Sequence, residues 1–196
     1  MKNIRHLPLL FIVLALPRLA AQDETKMEDL FLRDGLYYIS GQDSAFTGNV
    51  VDSWENGTKR LEGTYKDGRL DGKRSTWYGN GQQQEESSWN TGTQIDVHKQ
   101  WYENGQQKFE RTYKDGVHDG QWSEWYENGQ KKKEGNYSDG ITDGMLDLFD
   151  KGSCKQGKWT EWYANGKKAL EENYINGQRD GKRTRTEWYE NGQKMK

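Results

Sequence analysis

The pentapeptide Trp-Tyr-Glu-Asn-Gly at residues 125–129 recurs as copies or near-copies beginning at Trp54, Trp77, Trp101, Trp162 and Trp188. No other feature constrains the fold as strongly. Asn-Gly between aromatic and polar runs is the strongest short-range signal for a two-residue hairpin turn. Both central residues of a type I′ turn need φ > 0, which Gly takes freely and Asn tolerates. The expected turns are Asn56-Gly57, Asn104-Gly105, Asn128-Gly129, Asn165-Gly166 and Asn191-Gly192, with Asn80-Gly81 as a near-copy.

The spacing is regular. Gly57, Gly81, Gly105 and Gly129 lie 24 residues apart. Eight residues after such a glycine comes Tyr65, Trp89, Tyr113, Tyr137 or Tyr174, and three further on comes Gly68, Gly92, Gly116, Gly140 or Gly177. A second glycine follows at Gly72, Gly120, Gly144 or Gly181, with Asp96 substituting once. A fixed period in the twenties marks a repeat protein whose units stack on their neighbours. Segments such as Lys114 to Gly120 are expected to close the second hairpin of each unit. The strands between turns are short and leave no room for a parallel crossover. The expected fold is all-β: an elongated antiparallel β-meander in a single-layer sheet, built from hairpin repeats of about 24 residues.

The unit around Trp125 allows a register to be written. With Asn128-Gly129 as a two-residue turn, Tyr126 faces Lys131, Trp125 faces Lys132, Glu124 faces Lys133 and Ser123 faces Glu134. Trp122 then lies opposite Gly135, where a large ring can cover a residue with no side chain. Alternation puts Trp122, Glu124 and Tyr126 on one face with Gly135 and Tyr137, and Trp125 on the other with Lys132 and Glu134.

Two regions depart from the period. Met145 to Phe149 reads as a strand, but only 14 residues separate Gly152 from Gly166, so about ten residues of a unit are missing there. In the last unit, two extra residues between Gly181 and Trp188 preserve the alternation. Leu36 to Ile39 reads as a first strand and Phe46 to Val51 leads into the second. The final strand, near Tyr189 to Lys196, is barely started and leaves an open edge that could accept a partner strand or another copy of the chain.

The N-terminus has the layout of a secretory leader: Lys2 and Arg5, the apolar run Leu7 to Leu16, then small residues at Ala20-Ala21. The run is too short to span a bilayer. The expected organisation is a leader at 1–21, a spacer and lead-in strand at 22–45, and a repeat domain at 46–196 of about six units, one truncated near 145–166 and the last incomplete. Export to the periplasm, the outer surface or the medium follows, with no membrane segment in the mature chain.

Composition supports the same reading. Both prolines lie in the leader, and nine Trp and eleven Tyr supply the burial that sparse aliphatics cannot. Removing Lys2, Arg5 and Arg18 leaves the mature chain about five charges negative, unsuited to nucleic acid or to non-specific attraction by anionic lipid. Lys131-Lys132-Lys133 is a local basic exception that fits the protection of exposed strands. Cys154, the one cysteine, is expected to be an unpaired, partly buried thiol.

No catalytic, cofactor-binding or metal constellation emerges. His98 and His118 sit at non-equivalent points of their units without a cysteine pair. Glu85-Glu86 and Glu171-Glu172 resemble glycosidase carboxylate pairs, but fall where Glu110 and Glu134 also fall, which fits a repeated solvent-facing role.

The run Trp-Tyr-Glu-Asn-Gly, then Glu-Gly-x-Tyr-x-Asp-Gly, then Asp-Gly, at Trp125 to Gly144, resembles the bacterial MORN repeat variant. The resemblance spans about residues 46–196. It implies an elongated antiparallel repeat sheet and a role in interaction rather than catalysis. Some bacterial members carry an antitoxin label, which implies a toxin partner; eukaryotic MORN repeats are often linked to membrane lipids. The expected function is a non-enzymatic protein-interaction scaffold, with Trp77, Trp101, Trp125, Trp162, Trp188 and Tyr189 as its contact surface. Carbohydrate or cell-wall binding through the same rings is the alternative.

Overall fold

The computed structural model describes residues 25–139, 153–181 and 185–195. The expected leader, the expected strand at Met145 to Phe149, and the glycines Gly140, Gly144 and Gly152 lie outside the described residues. A short 3-10 turn at Met27–Asp29 precedes β1 (Leu30–Arg33) and β2 (Leu36–Ile39). The repeats then supply β3 (Gly48–Ser53), β4 (Lys59–Lys66), β5 (Arg69–Trp77), β6 (Gln83–Asn90), β7 (Thr93–Trp101) and β8 (Gln107–Lys114). They continue with β9 (Val117–Trp125), β10 (Lys131–Asp139), β11 (Ser153–Trp162), β12 (Lys168–Ile175), β13 (Gln178–Arg179) and β14 (Thr186–Glu187).

The meander is as the period requires. A twelve-stranded sheet runs from β3 to β13 in chain order, with β14 pairing β12 beside β13. Every strand pair is antiparallel; an isolated parallel bridge joins Thr25 to Val50. β1 and β2 form a hairpin of their own, and β1 was not legible from the repeat. That hairpin covers the start of the sheet. Phe46, Val50 and Tyr65 are buried there, packed by Met27, Leu30, Tyr37, Ile39, Leu61 and Leu70.

The two loop types are exchanged relative to the sequence expectation. The Asp-Gly class makes the two-residue turn: Asp67 and Gly68 have φ of 49° and 75°, Asp115 and Gly116 of 50° and 82°, with Lys66 paired to Arg69 and Lys114 to Val117. Both central residues are left-handed, as type I′ demands. In the Asn-Gly loops only the glycine is left-handed, with φ of 80° at Gly129. Gly129 N–H donates to the Tyr126 carbonyl at 2.9 Å and Tyr126 N–H donates to Gln130 at 2.8 Å. This is a three-residue loop ending in a glycine bulge.

The extra loop residue corrects the register near the turn. Trp125 pairs with Lys131, not Lys132, while Glu124↔Lys133, Ser123↔Glu134 and Trp122↔Gly135 stand as expected. The irregularity at Lys132 sends that side chain to the opposite face, 5.8 Å from the Tyr126 ring. Lys131 takes its place beside Trp125 at 5.8 Å. The three lysines are therefore divided between the faces and form no basic patch.

The ring over Gly135 is also not the expected one. A Cβ at Gly135 would stand 2.2 Å from Trp159. Trp159 comes from β11, the other neighbour of β10, and is 3% exposed. β10 pairs directly with β11, Asp139 with Ser153, and residues 140–152 between them lie outside the described residues.

Candidate interaction surface

The sheet has two unlike faces. On one, aromatic rings form a near-continuous stack. His98 meets Phe109 at 4.8 Å, Tyr113 meets His118 at 4.3 Å, and His118 meets Trp122 at 4.6 Å. Trp122 meets Tyr137 at 5.2 Å, Tyr137 meets Trp159 at 5.1 Å, and Trp159 meets Tyr174 at 6.5 Å. Ion pairs lie between the rings: Arg74–Glu85 and Arg111–Glu124 at 3.0 Å, and Lys133–Glu161 at 3.0 Å. His98 and His118 both belong to this stack. His98 Nε2 lies 3.3 Å from Glu85 Oε1, an ion-pair separation without hydrogen-bond alignment. His98 and Arg74 together hold the Glu85 carboxyl below its usual range despite its burial.

The other face carries the tryptophans of the repeat. Trp77, Trp101 and Trp125 end β5, β7 and β9, Trp162 ends β11, and Trp188 follows β14. All five are partly exposed. Each of the first four pairs with an equivalent residue after the loop: Gln83, Gln107, Lys131 and Lys168. Lys131 Nζ lies between Trp125 and Trp162, at 5.8 and 6.0 Å from their rings, and Lys168 lies 5.5 Å from Trp188. Beside the tryptophans runs a carboxylate row on every second strand: Glu62, Glu86, Glu110, Glu134 and Glu171. Lys59, Gln83, Gln107, Lys131 and Lys168 each reach the carboxylate three residues on, at 2.6 to 3.4 Å. Exposed pairs of this kind contribute at most about 1 kcal/mol each. They orient the row rather than hold the sheet.

Neighbouring carboxylates part company across the sheet. Glu86 joins the tryptophan face while Glu85 joins the ring stack; Glu171 bonds Lys168 while Glu172 accepts from Tyr174 Oη at 2.7 Å. Neither pair can flank one substrate. Among the described residues, no group of three His, Cys, Asp or Glu could hold a metal ion. No helix among them is long and apolar enough to cross a membrane.

Tyr189 belongs to a different row from the tryptophans. Tyr78, Tyr102, Tyr126 and Tyr163 each donate from Oη to the carbonyl of the next unit's tryptophan: Trp101, Trp125, Trp162 and Trp188, at 2.8 to 2.9 Å. Trp54 stands in that tyrosine position, and its Nε1 donates to the Trp77 carbonyl. The apparent copy at Trp54 is thus shifted by one residue.

The loop asparagines form a second row. Asn56, Asn80, Asn104, Asn128 and Asn165 donate from Nδ2 to the carbonyls of Gly79, Glu103, Glu127, Ala164 and Glu190 in the next loop, at 2.7 to 3.0 Å. Their Oδ1 atoms accept the backbone N–H two residues on. This cross-loop bonding is the role of Asn in the motif, and no turn rule could have found it.

Residues 97–115, 119–139 and 155–176 match the MORN repeat variant family. These three units are MORN repeats. MORN repeats generally mediate protein or membrane interactions, and the family is a non-catalytic repeat family. The matched spans contain Trp101, Trp125 and Trp162 together with the loop asparagines Asn104, Asn128 and Asn165 or the strands that carry them. No curated protein matches the sequence.

Proposed function

We propose that the chain is an exported, non-enzymatic scaffold that binds a protein partner through its tryptophan face. The observation that carries this reading is the placement of Trp77, Trp101, Trp125, Trp162 and Trp188 on one face, partly exposed and flanked by repeated Lys, Gln and Glu. Interfaces are anchored by aromatic side chains within a polar surround, and this face repeats that combination along the sheet. The cohesion of the sheet has other sources: the ring stack on the far face and the tyrosine and asparagine rows along the loops.

The test is a crosslinked pull-down from envelope extract with the mature chain as bait, beside a turn-disrupted Gly105→Val, Gly129→Val control. Those glycines have φ of 82° and 80°, where valine is strained. A protein retained by the folded bait alone supports the scaffold. Recovery of wall glycan without protein overturns it in favour of carbohydrate binding, and recovery of a cytoplasmic toxin would remove export from the account.

A further inference from the structure

The loop rows are open at both ends among the described residues. At one end, Ser53 and Glu55 occupy the positions whose carbonyls, in the later loops, accept from an aromatic donor (Trp54 Nε1 at Trp77, a tyrosine Oη thereafter) and from an asparagine Nδ2. No side chain donates to the Ser53 or Glu55 carbonyl among the described residues. At the other end, Tyr189 and Asn191 occupy the donor positions. Tyr189 is 53% exposed, and Asn191 Nδ2 reaches only its own loop, at Gln193 Oε1, 3.4 Å away.

A third contact repeats in step with these two. In four of the five steps along the row the residue after a loop glycine extends over the glycine of the next loop: Gln82 over Gly105, Gln106 over Gly129, Gln130 over Gly166 and Lys167 over Gly192, whereas Thr58 does not reach Gly81. Gly57, at the open acceptor end, has nothing within 4 Å of where a Cβ would stand, as is also true of Gly81, which follows the one loop that carries Thr58 in place of Gln or Lys. Gln193, at the open donor end, is exposed. The acceptor end also borders a groove of about 890 Å³ lined by Asp52, Ser53, Trp54, Glu55, Asn56 and Arg60. Among the described residues, the segment before β1 bonds β3 at Val51, whose N–H donates to the Thr25 carbonyl, and Lys26 and Glu28 line the groove beside this loop.

We infer that two copies of this chain associate head to tail, with loop 189–193 of one copy seated on loop 53–57 of the next. Tyr189 Oη donates to the Ser53 carbonyl, Asn191 Nδ2 donates to the Glu55 carbonyl, and Gln193 lies over Gly57. Donor, acceptor and seat match the internal loop contacts one for one, so a second copy is the occupant whose chemistry the site already specifies. The contact joins two different surfaces, so it propagates into chains or rings rather than stopping at a pair. It does not depend on what the tryptophan face binds.

Sedimentation velocity of the mature chain across the micromolar range tests this, with circular dichroism to verify that each variant keeps its sheet. Native protein should show species that grow beyond the dimer as concentration rises. Tyr189→Phe with Gln193→Ala blocks the donor end. Gly57→Asn blocks the seat with a residue that tolerates left-handed backbone. Each variant alone should weaken association at least about tenfold, as expected for loss of two hydrogen-bonded or packed contacts. A mixture of the two retains one competent donor end and one competent seat, and should give dimers and nothing larger. A native chain that stays monomeric, a native chain that stops at a dimer, variants that associate like the native chain, or a mixture that stays monomeric would each overturn the inference.

Discussion

Asn128 has two possible reasons to be where it is, and they predict opposite effects of one substitution. Were it present for left-handed backbone, glycine would serve as well or better. In the structure Asn128 bonds Ala164 O at 2.8 Å and accepts from Gln130 N–H at 3.0 Å, so Asn128→Gly should cost about 1–2 kcal/mol in urea unfolding. A neutral or stabilising result would return Asn128 to a turn role. Tyr174 gives a second test at this scale. Burial, and then its hydrogen bond to Glu172, push the Tyr174 hydroxyl up to about 12. A group whose folded value is raised contributes stability that is complete below its unfolded value and lost as pH rises through the folded one. Stability should therefore fall between about pH 10 and 12, and Tyr174→Phe should flatten that part of the curve. On the acid side the sign reverses. The depressed Glu85 carboxyl contributes stability that disappears as pH falls below the ordinary glutamate range, and Glu85→Gln should lessen that loss.

At the level of strands, the period made the meander and most pairings legible, while the bulges were not. Ser123↔Glu134 and Trp122↔Gly135 follow from counting back along the hairpin, but Trp125↔Lys131 does not, because Asn-Gly signals a two-residue turn while here it ends a three-residue loop in which only Gly129 is left-handed. The ring on Gly135 was hidden for another reason. Trp159 is adjacent only because β11 pairs with β10 across a connection that the 24-residue period does not anticipate. The tryptophan positions were legible because they recur; their common face follows from strand alternation, whereas the split of Tyr189 into a separate row depends on cross-loop bonds invisible in one unit. Gly135 supplies the test at this scale. An alanine Cβ would stand 2.2 Å from the Trp159 ring, so Gly135→Ala should cost about 3 kcal/mol. If the substitution is neutral, Trp159 does not pack where it is placed. Cys154, 4% exposed, is more deeply buried than expected; its thiol should react slowly with an aqueous disulfide reagent until the sheet unfolds.

Across the whole molecule, the rows and the ring stack make neighbouring repeats depend on one another, as in other repeat proteins whose stability sums over local interfaces. One face of the sheet, with the loop rows, supplies that cohesion, and the tryptophan face is the proposed partner surface. The most direct test is to replace Trp101 and Trp125 together by alanine and measure partner retention beside the circular dichroism of the same protein. The double variant should keep its sheet signal and lose its partner at least about tenfold, as removal of two aromatic anchors should produce. Undiminished retention by the folded double variant would contradict it.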